Sequence, residues 1–245
     1  MDRKQFFLIT LFILVLLLWV DPLYAGPGGA IAKAFFKTWW GKAILIALTV
    51  IFLPLVIYVR LREYIEIRRT KKQLAEIANT NKDFSWLSLD KTVRNIFSRV
   101  YIAWNNENMK EASEYVSSWY WQNQQLVVLD EWKRENLRNI CKVDKVKKVS
   151  PLYLEISDEQ TLEGSRIAFR IDAVIKDYLI NRDTFKVVKG KNTFDEEEKI
   201  WILEYTDGRW LLDDIQDADL SLAFAKTKNI IPETLKVQKI PARSN

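Results

Sequence analysis

The stretch Ala43–Val59, AILIALTVIFLPLVIYV, constrains this chain more than any other part of it. It carries no charge, and with Trp39 and Trp40 before it and Tyr58 near its end it approaches the roughly 20 apolar residues that a bilayer-crossing helix needs. Pro54 lies inside the run; a membrane helix tolerates proline, at the expense of a kink. Arg60, Arg62, Arg68, Arg69, Lys71 and Lys72 follow at once, against only Glu63 and Glu66. Positive charge beside a span marks the cytoplasmic side. The expectation is a transmembrane helix at 43–59, a basic juxtamembrane helix and linker at 60–83, and the remainder on the cytoplasmic face. The six basic side chains are placed to touch anionic headgroups, each worth about 1 kcal/mol near the surface. A buried core helix is the competing reading, and it leaves the flanking arginines and tryptophans unexplained.

The first 25 residues have a charged start, the uncharged run Phe6–Val20 and a small residue, Ala25, before a Gly-Pro-Gly-Gly break. These are the parts of a secretory signal peptide, although Leu23 is large for its position relative to a cut after Ala25; an uncleaved first membrane span fits the same pattern. Residues 26–42 form a Gly-containing connector without the Lys-Ser/Thr of a phosphate loop.

The chain has no histidine, which excludes imidazole triads, His metal sites and imidazole acid–base work. Its one cysteine, Cys141, cannot form an internal disulfide. The formal net charge of +5 suits an anionic lipid surface or a nucleic acid equally well.

Beyond a polar break at Asn79–Asp83, Val93, Ile96, Phe97, Val100, Tyr101 and Trp104 fall on one stripe of a helix, with Ser88 or Asp90 offering its cap. A second helix is expected to bury Met109, Ala112, Tyr115, Val116, Trp119 and Tyr120, and a third Leu126, Leu129, Trp132 and Leu137. The period then changes. A strand occupies part of Val143–Ile156. In Arg166–Lys176, Ile167, Phe169, Ile171, Ala173 and Ile175 share one strand face, and Asp172 points away from it. Lys199–Tyr205 is apolar on both faces, so a central strand is expected there. Asp207-Gly208 marks a tight hairpin with Trp210–Ile215 as the return. Helices followed by antiparallel strands predict an α+β domain at 84–216, with the helices on one face of a curved sheet. In the C-terminal tail, 217–245, only a short helix near Leu220–Ala225 is expected, because Pro232 and Pro241 oppose order beyond it.

That order of elements resembles the Tim forty-four-like family, named for the peripheral subunit of the mitochondrial inner-membrane import motor. The carrying residues are Val100-Tyr-Ile-Ala-Trp104 with the polar Asn105–Asn108, then Ile200-Trp-Ile-Leu-Glu-Tyr205 and Asp207-Gly208-Arg209-Trp210-Leu-Leu. The resemblance covers roughly Phe84–Gln216 and the membrane layout. It departs from the family pattern at Glu107-Asn108 and at Asn136, where the family commonly carries glycine. It implies a cone-shaped roll of the nuclear transport factor two kind, in a bacterial inner-membrane protein. The implied role is a binding module related to protein translocation or membrane-protein insertion. The scaffold hosts binding proteins and enzymes alike.

The chemistry-bearing residues favour a binding module over an enzyme. Asp195–Glu198 and Asp213, Asp214, Asp217 and Asp219 fall at a strand entry and a strand end, as solvated acidic faces do. Adjacent on one strand, Asp213 and Asp214 point to opposite sides and cannot share a proton. Lys142 beside Cys141 offers to lower the thiol pKa, yet no base accompanies it. No catalytic residue, cofactor or metal is expected. Lys142, Lys145, Lys147 and Lys148, with Lys133, Arg134 and Arg138 upstream, form a possible partner patch for a protein, for headgroups or for a ribosome. Trp119, Trp121, Phe169 and Trp201 either line a cavity in the cone or fill its core. A small-ligand or enzymatic role requires buried carboxylates in that cavity.

Overall fold

The computed structural model describes residues 38–236, and the chain divides into two units between Leu61 and Arg62. The signal-like segment at 1–25, most of the connector at 26–42 and the end of the tail, Pro241 included, lie outside the described residues. The first helix, α1 (Trp39–Ile77), runs unbroken through Pro54. In the first unit none of its most apolar window is buried; the helix is long and apolar enough to cross a membrane. The Thr49 hydroxyl donates to the Leu45 carbonyl at 2.8 Å, which satisfies that donor within the helix.

In the second unit, the rest of α1 buries Glu63, Glu66, Thr70, Leu74 and Ile77, spaced as one helical stripe. The expected linker is thus part of the fold, and the compact unit begins at Arg62 rather than Phe84. After a 3-10 turn at Lys82–Phe84 comes α2 (Trp86–Asn105). Its cap is Ser85, whose hydroxyl accepts from the Ser88 amide at 3.2 Å, three residues ahead of the expected cap. Asp90 instead pairs with Arg94 one turn on, at 2.8 Å. The predicted stripe holds: Val93, Ile96, Phe97, Val100 and Tyr101 are buried and Trp104 half-buried.

The expected second helix is interrupted. Met109–Ala112 is a 3-10 turn, Val116 bridges to Leu212, and only Ser118–Asn123 (α3) is helical. Backbone bonds from Leu212 to Tyr115 and from Ser117 to Leu212 take this segment for the sheet. A π-helical turn, Gln124–Leu129, leads into α4 (Asp130–Arg134). Leu126 proves exposed, and Leu137 belongs to the first strand.

The described strands form one antiparallel sheet: β1 (Leu137–Glu155), β2 (Arg166–Asn181), β3 (Val187–Gly190), β4 (Asp195–Thr206) and β5 (Arg209–Asp217), in the order β1-β2-β4-β5 with β3 on β2. β1 starts six residues before the expected strand region. It passes three register shifts, and bulges of this kind bend and twist a strand. Pro151 sits at one of them on the edge strand, where its missing N–H matters least. β4 lies between β2 and β5, as its two-sided apolar character requires. Asp207 and Gly208 both have positive φ, the geometry of a tight hairpin turn, and the Glu163 carboxylate accepts from both amides at 2.9 Å.

Phe169, Ile171, Trp201, Leu203 and Leu212 meet α2 in the main core, where the Trp201 and Phe97 rings stand 4.8 Å apart. The helices are not confined to that face. Ala168, Leu152 and Ile200 form a second cluster on the other one, covered by Ile67 of α1 and Phe224 of α5 (Ser221–Lys226). The tail is also ordered further than expected. Ile230 pairs with Leu154 and Ile156 on the free edge of β1, and a short α6 (Glu233–Lys236) follows. Glu107 and Asn136 both adopt left-handed backbone, φ +56° and +60°.

Candidate functional site

Strand alternation carries charge into the concave face of the sheet. On β2, Asp177 stands in phase with Ile171, Ala173 and Ile175; on β4, Glu197 and Lys199 stand in phase with Trp201 and Leu203. At that end the apolar layer stops. A cavity of about 330 Å³ opens, lined by Tyr101 and Trp104 of α2, Tyr120 and Gln124, Asp177, Glu197, Lys199, and Asp214 and Ile215 of β5. Its volume lies at the small end of ligand pockets.

The register shift between Ile202 and Leu203 makes Asp213 an extra residue on β5. The two neighbouring aspartates part company, as expected: Asp213 lies 3.3 Å from Arg166, and Asp214 lines the cavity. Burial pushes the Asp177 carboxyl above the usual range, against a hydrogen bond from Asn139 that lowers it. Burial, reinforced by Asp177, does the same to Glu197. The hydrogen bond to Asp217 at 2.7 Å raises the Lys199 ammonium. Tyr120 is 2% exposed, and its hydroxyl has no hydrogen-bond partner among the described residues. Burial and the nearby Asp214 hold that phenol well above its ordinary pKa.

The side chains proposed from sequence as cavity lining do not line it. Trp119 is 63% exposed, Trp121 packs half-buried on the core, and Phe169 and Trp201 are fully buried core residues. Spacing along a helix does not distinguish Tyr120, which turns inward, from Trp119, which turns out. Glu197 and Asp214, expected on solvated faces, supply the site instead, together with Asp177. Continuing the period-2 phase of Ile171–Ile175 to Asp177, and of Trp201 back to Glu197, would have found them.

Lys142, Lys145, Lys147 and Lys148 are all exposed along edge strand β1, where Lys147 pairs with Glu196. Upstream, Arg134 pairs with Glu131 and Arg138 stands 4.0 Å from Glu107. Within the juxtamembrane run, Arg60, Arg68, Arg69 and Lys72 are exposed and Arg62 is half-buried. Lys71 is drawn inward, with its ammonium 3.8 Å from the centre of the Trp86 ring. Cys141 is buried, and its thiol donates to the Tyr101 carbonyl at 3.3 Å; burial pushes its pKa up to about 12. Lys142 does not activate it.

A buried ion pair lies on the sheet's other face. Arg170 donates to Glu63 at 2.5 Å, and Ser221 donates to the second Glu63 oxygen at 2.7 Å. Asp172, expected in solvent, is 3.3 Å from the same guanidinium, and Glu198 is 3.7 Å from it.

No family model matches this chain, and no curated protein does. Among solved structures, the chain is similar to the crystal structure of the intermembrane space region of the chloroplast protein ARC6. The two share 11% identity at a TM-score of 0.36, over 52% of this chain and 96% of that one.

Proposed function

We propose that this chain is a membrane-anchored, non-enzymatic binding module. On this reading it sits in a bacterial inner membrane, with the unit from Arg62 onward on the cytoplasmic face. There it serves as an adaptor or tether for a protein partner in translocation or membrane-protein insertion. The observation that carries the anchoring is α1, whose most apolar window is wholly exposed and gives way directly to the basic run beginning at Arg60. The partner reading is supported by Trp119, Leu126 and Val127, each more than 60% exposed within one short segment, because monomeric proteins rarely leave large apolar side chains together in water. The resemblance of Val100–Trp104 and Ile200–Trp210 to the Tim forty-four-like family points the same way.

A second reading, a ribosome tether, draws on the exposed lysines of β1. Salt-sensitive cosedimentation with ribosomes would support it, and none at low salt would end it. The main test is in-cell crosslinking of the full-length chain, with mass spectrometry of what copurifies from membranes. A variant with Arg60, Arg62, Arg68 and Arg69 changed to Glu serves as the control for charge-driven capture. The expected result is reproducible enrichment of translocation or insertion components. Recovery of lipid alone, or of no protein, refutes the adaptor role.

A further inference from the structure

We propose that the cavity between α2, α3 and the concave face of the sheet binds a small organic cation, a protonated primary or secondary amine. Three carboxylates, on Asp177, Glu197 and Asp214, line it against one ammonium, on Lys199, and that ammonium is already bonded to Asp217 at 2.7 Å. The site is therefore short of positive charge. The remaining wall is aromatic, with Tyr101, Trp104 and Tyr120, and ring faces attract ammonium groups through their quadrupole.

The Tyr120 hydroxyl is the independent sign of a missing partner. It is buried, belongs to a lining residue, lies near enough to Asp214 to feel its charge, and bonds to nothing among the described residues. An unpaired buried hydroxyl is costly, and a ligand N–H donated to its oxygen would satisfy it. Burial of Asp177 and Glu197 disfavours their charged forms, so a cation entering there relieves a cost the fold already carries.

A metal ion fits less well, because no three acidic groups among the described residues converge closely enough to hold one. A quaternary ammonium offers no N–H to the carboxylates or to the hydroxyl. The volume of about 330 Å³ suits a ligand of a few to about ten non-hydrogen atoms. The lining residues all belong to the unit beginning at Arg62, so the site stands whether or not the chain is anchored as proposed.

The test is isothermal titration of the full chain in a non-ionic detergent with butylamine and 1,4-diaminobutane, against 1-butanol and butanoate. The amines should bind and the alcohol and carboxylate should not. Asp177→Asn should weaken the amines by about tenfold or more, as expected for loss of a hydrogen bond to a charged group. Tyr120→Phe, which keeps the ring, should weaken them about threefold to tenfold with unchanged circular dichroism. Lys91→Ala, at an exposed position near the start of α2, should leave amine binding unchanged. No amine binding at about 10 mM, equal binding of 1-butanol, or full amine binding to Tyr120→Phe and Asp177→Asn overturns the proposal. If Asp177→Asn does not fold, Tyr120→Phe decides alone.

Discussion

Replacing Arg170 by leucine tests how α1 is held to the sheet. The Arg170 and Glu63 side chains are 5% and 4% exposed, and their charged groups meet at 2.5 Å. Removing the guanidinium takes from the Glu63 carboxylate its 2.5 Å partner in a site closed to water, while the Ser221 hydroxyl still donates to its second oxygen. Breaking a buried pair in this way costs about 3–5 kcal/mol. Asp172 and Glu198 also lose a neighbour, but they are 29% and 33% exposed and reach water, so they add little. At about 2–4 °C per kcal/mol for a unit of this size, Tm should fall by roughly 6–20 °C. Thermal unfolding of the detergent-solubilised full chain, followed by tryptophan fluorescence, measures it. The double change Glu63→Met with Arg170→Leu should recover most of the loss, because an apolar pair replaces a buried ionic one at little net cost. If Arg170→Leu costs under about 1 kcal/mol, or the double change costs the sum of the two single ones, the pair is not coupled as described.

Other consequences are equally open to measurement. Because burial raises the Asp177 carboxyl in the folded state, that group favours folding at pH below its unfolded value and loses that contribution as pH rises through the folded one. Asp177→Asn should therefore raise the Tm of the ligand-free protein at pH 7, with the gain shrinking toward pH 4; a lowered Tm at pH 7 contradicts the burial argument. Glu107→Gly relieves a left-handed non-glycine backbone, a gain of about 1 kcal/mol, but loses the partly exposed pair with Arg182; net stability in urea should stay level or rise. A drop above about 1 kcal/mol would show that the pair outweighs the strain. With its pKa near 12, Cys141 should resist a thiol-specific disulfide reagent at pH 8 until the chain is unfolded. Rapid labelling of the native protein would refute its burial.

The parts of this fold that rest on local period were legible in the sequence. The α2 stripe, the apolar face of β2, the central place of β4 and the Asp-Gly hairpin each follow from a repeat of 3.6 or 2 residues and from turn chemistry. What escaped depends on partners distant in sequence. Ser118–Asn123 is a short helix because Tyr115 and Ser117 bond to Leu212, almost a hundred residues away, and no local preference encodes that. Glu63 reads from the sequence as part of a basic juxtamembrane run because the groups it bonds, Arg170 and Ser221, come from the middle and the end of the chain. The cavity was missed for a related reason. Glu197 and Asp214 read as surface charge one strand at a time, and they form a site only where their strands lie beside Asp177 of β2.

The segment at Asn229–Ile230 carries one more consequence. Ile230 occupies the outer edge of β1 through bonds with Leu154 and Ile156, while the Asn229 side chain accepts from the Leu154 amide and donates to Thr70 and Gln73. Nearer its start, β1 is stopped by α2 side chains: Arg94 donates to the Val146 carbonyl and Asn105 accepts from the Cys141 amide. An open edge of this length is a template for strands of other molecules, and its exposed lysines are one safeguard against that. A chain ending at Lys228 would keep its core but uncover the Leu154–Ile156 backbone. Its characteristic failure would be self-association, growing with concentration, rather than unfolding.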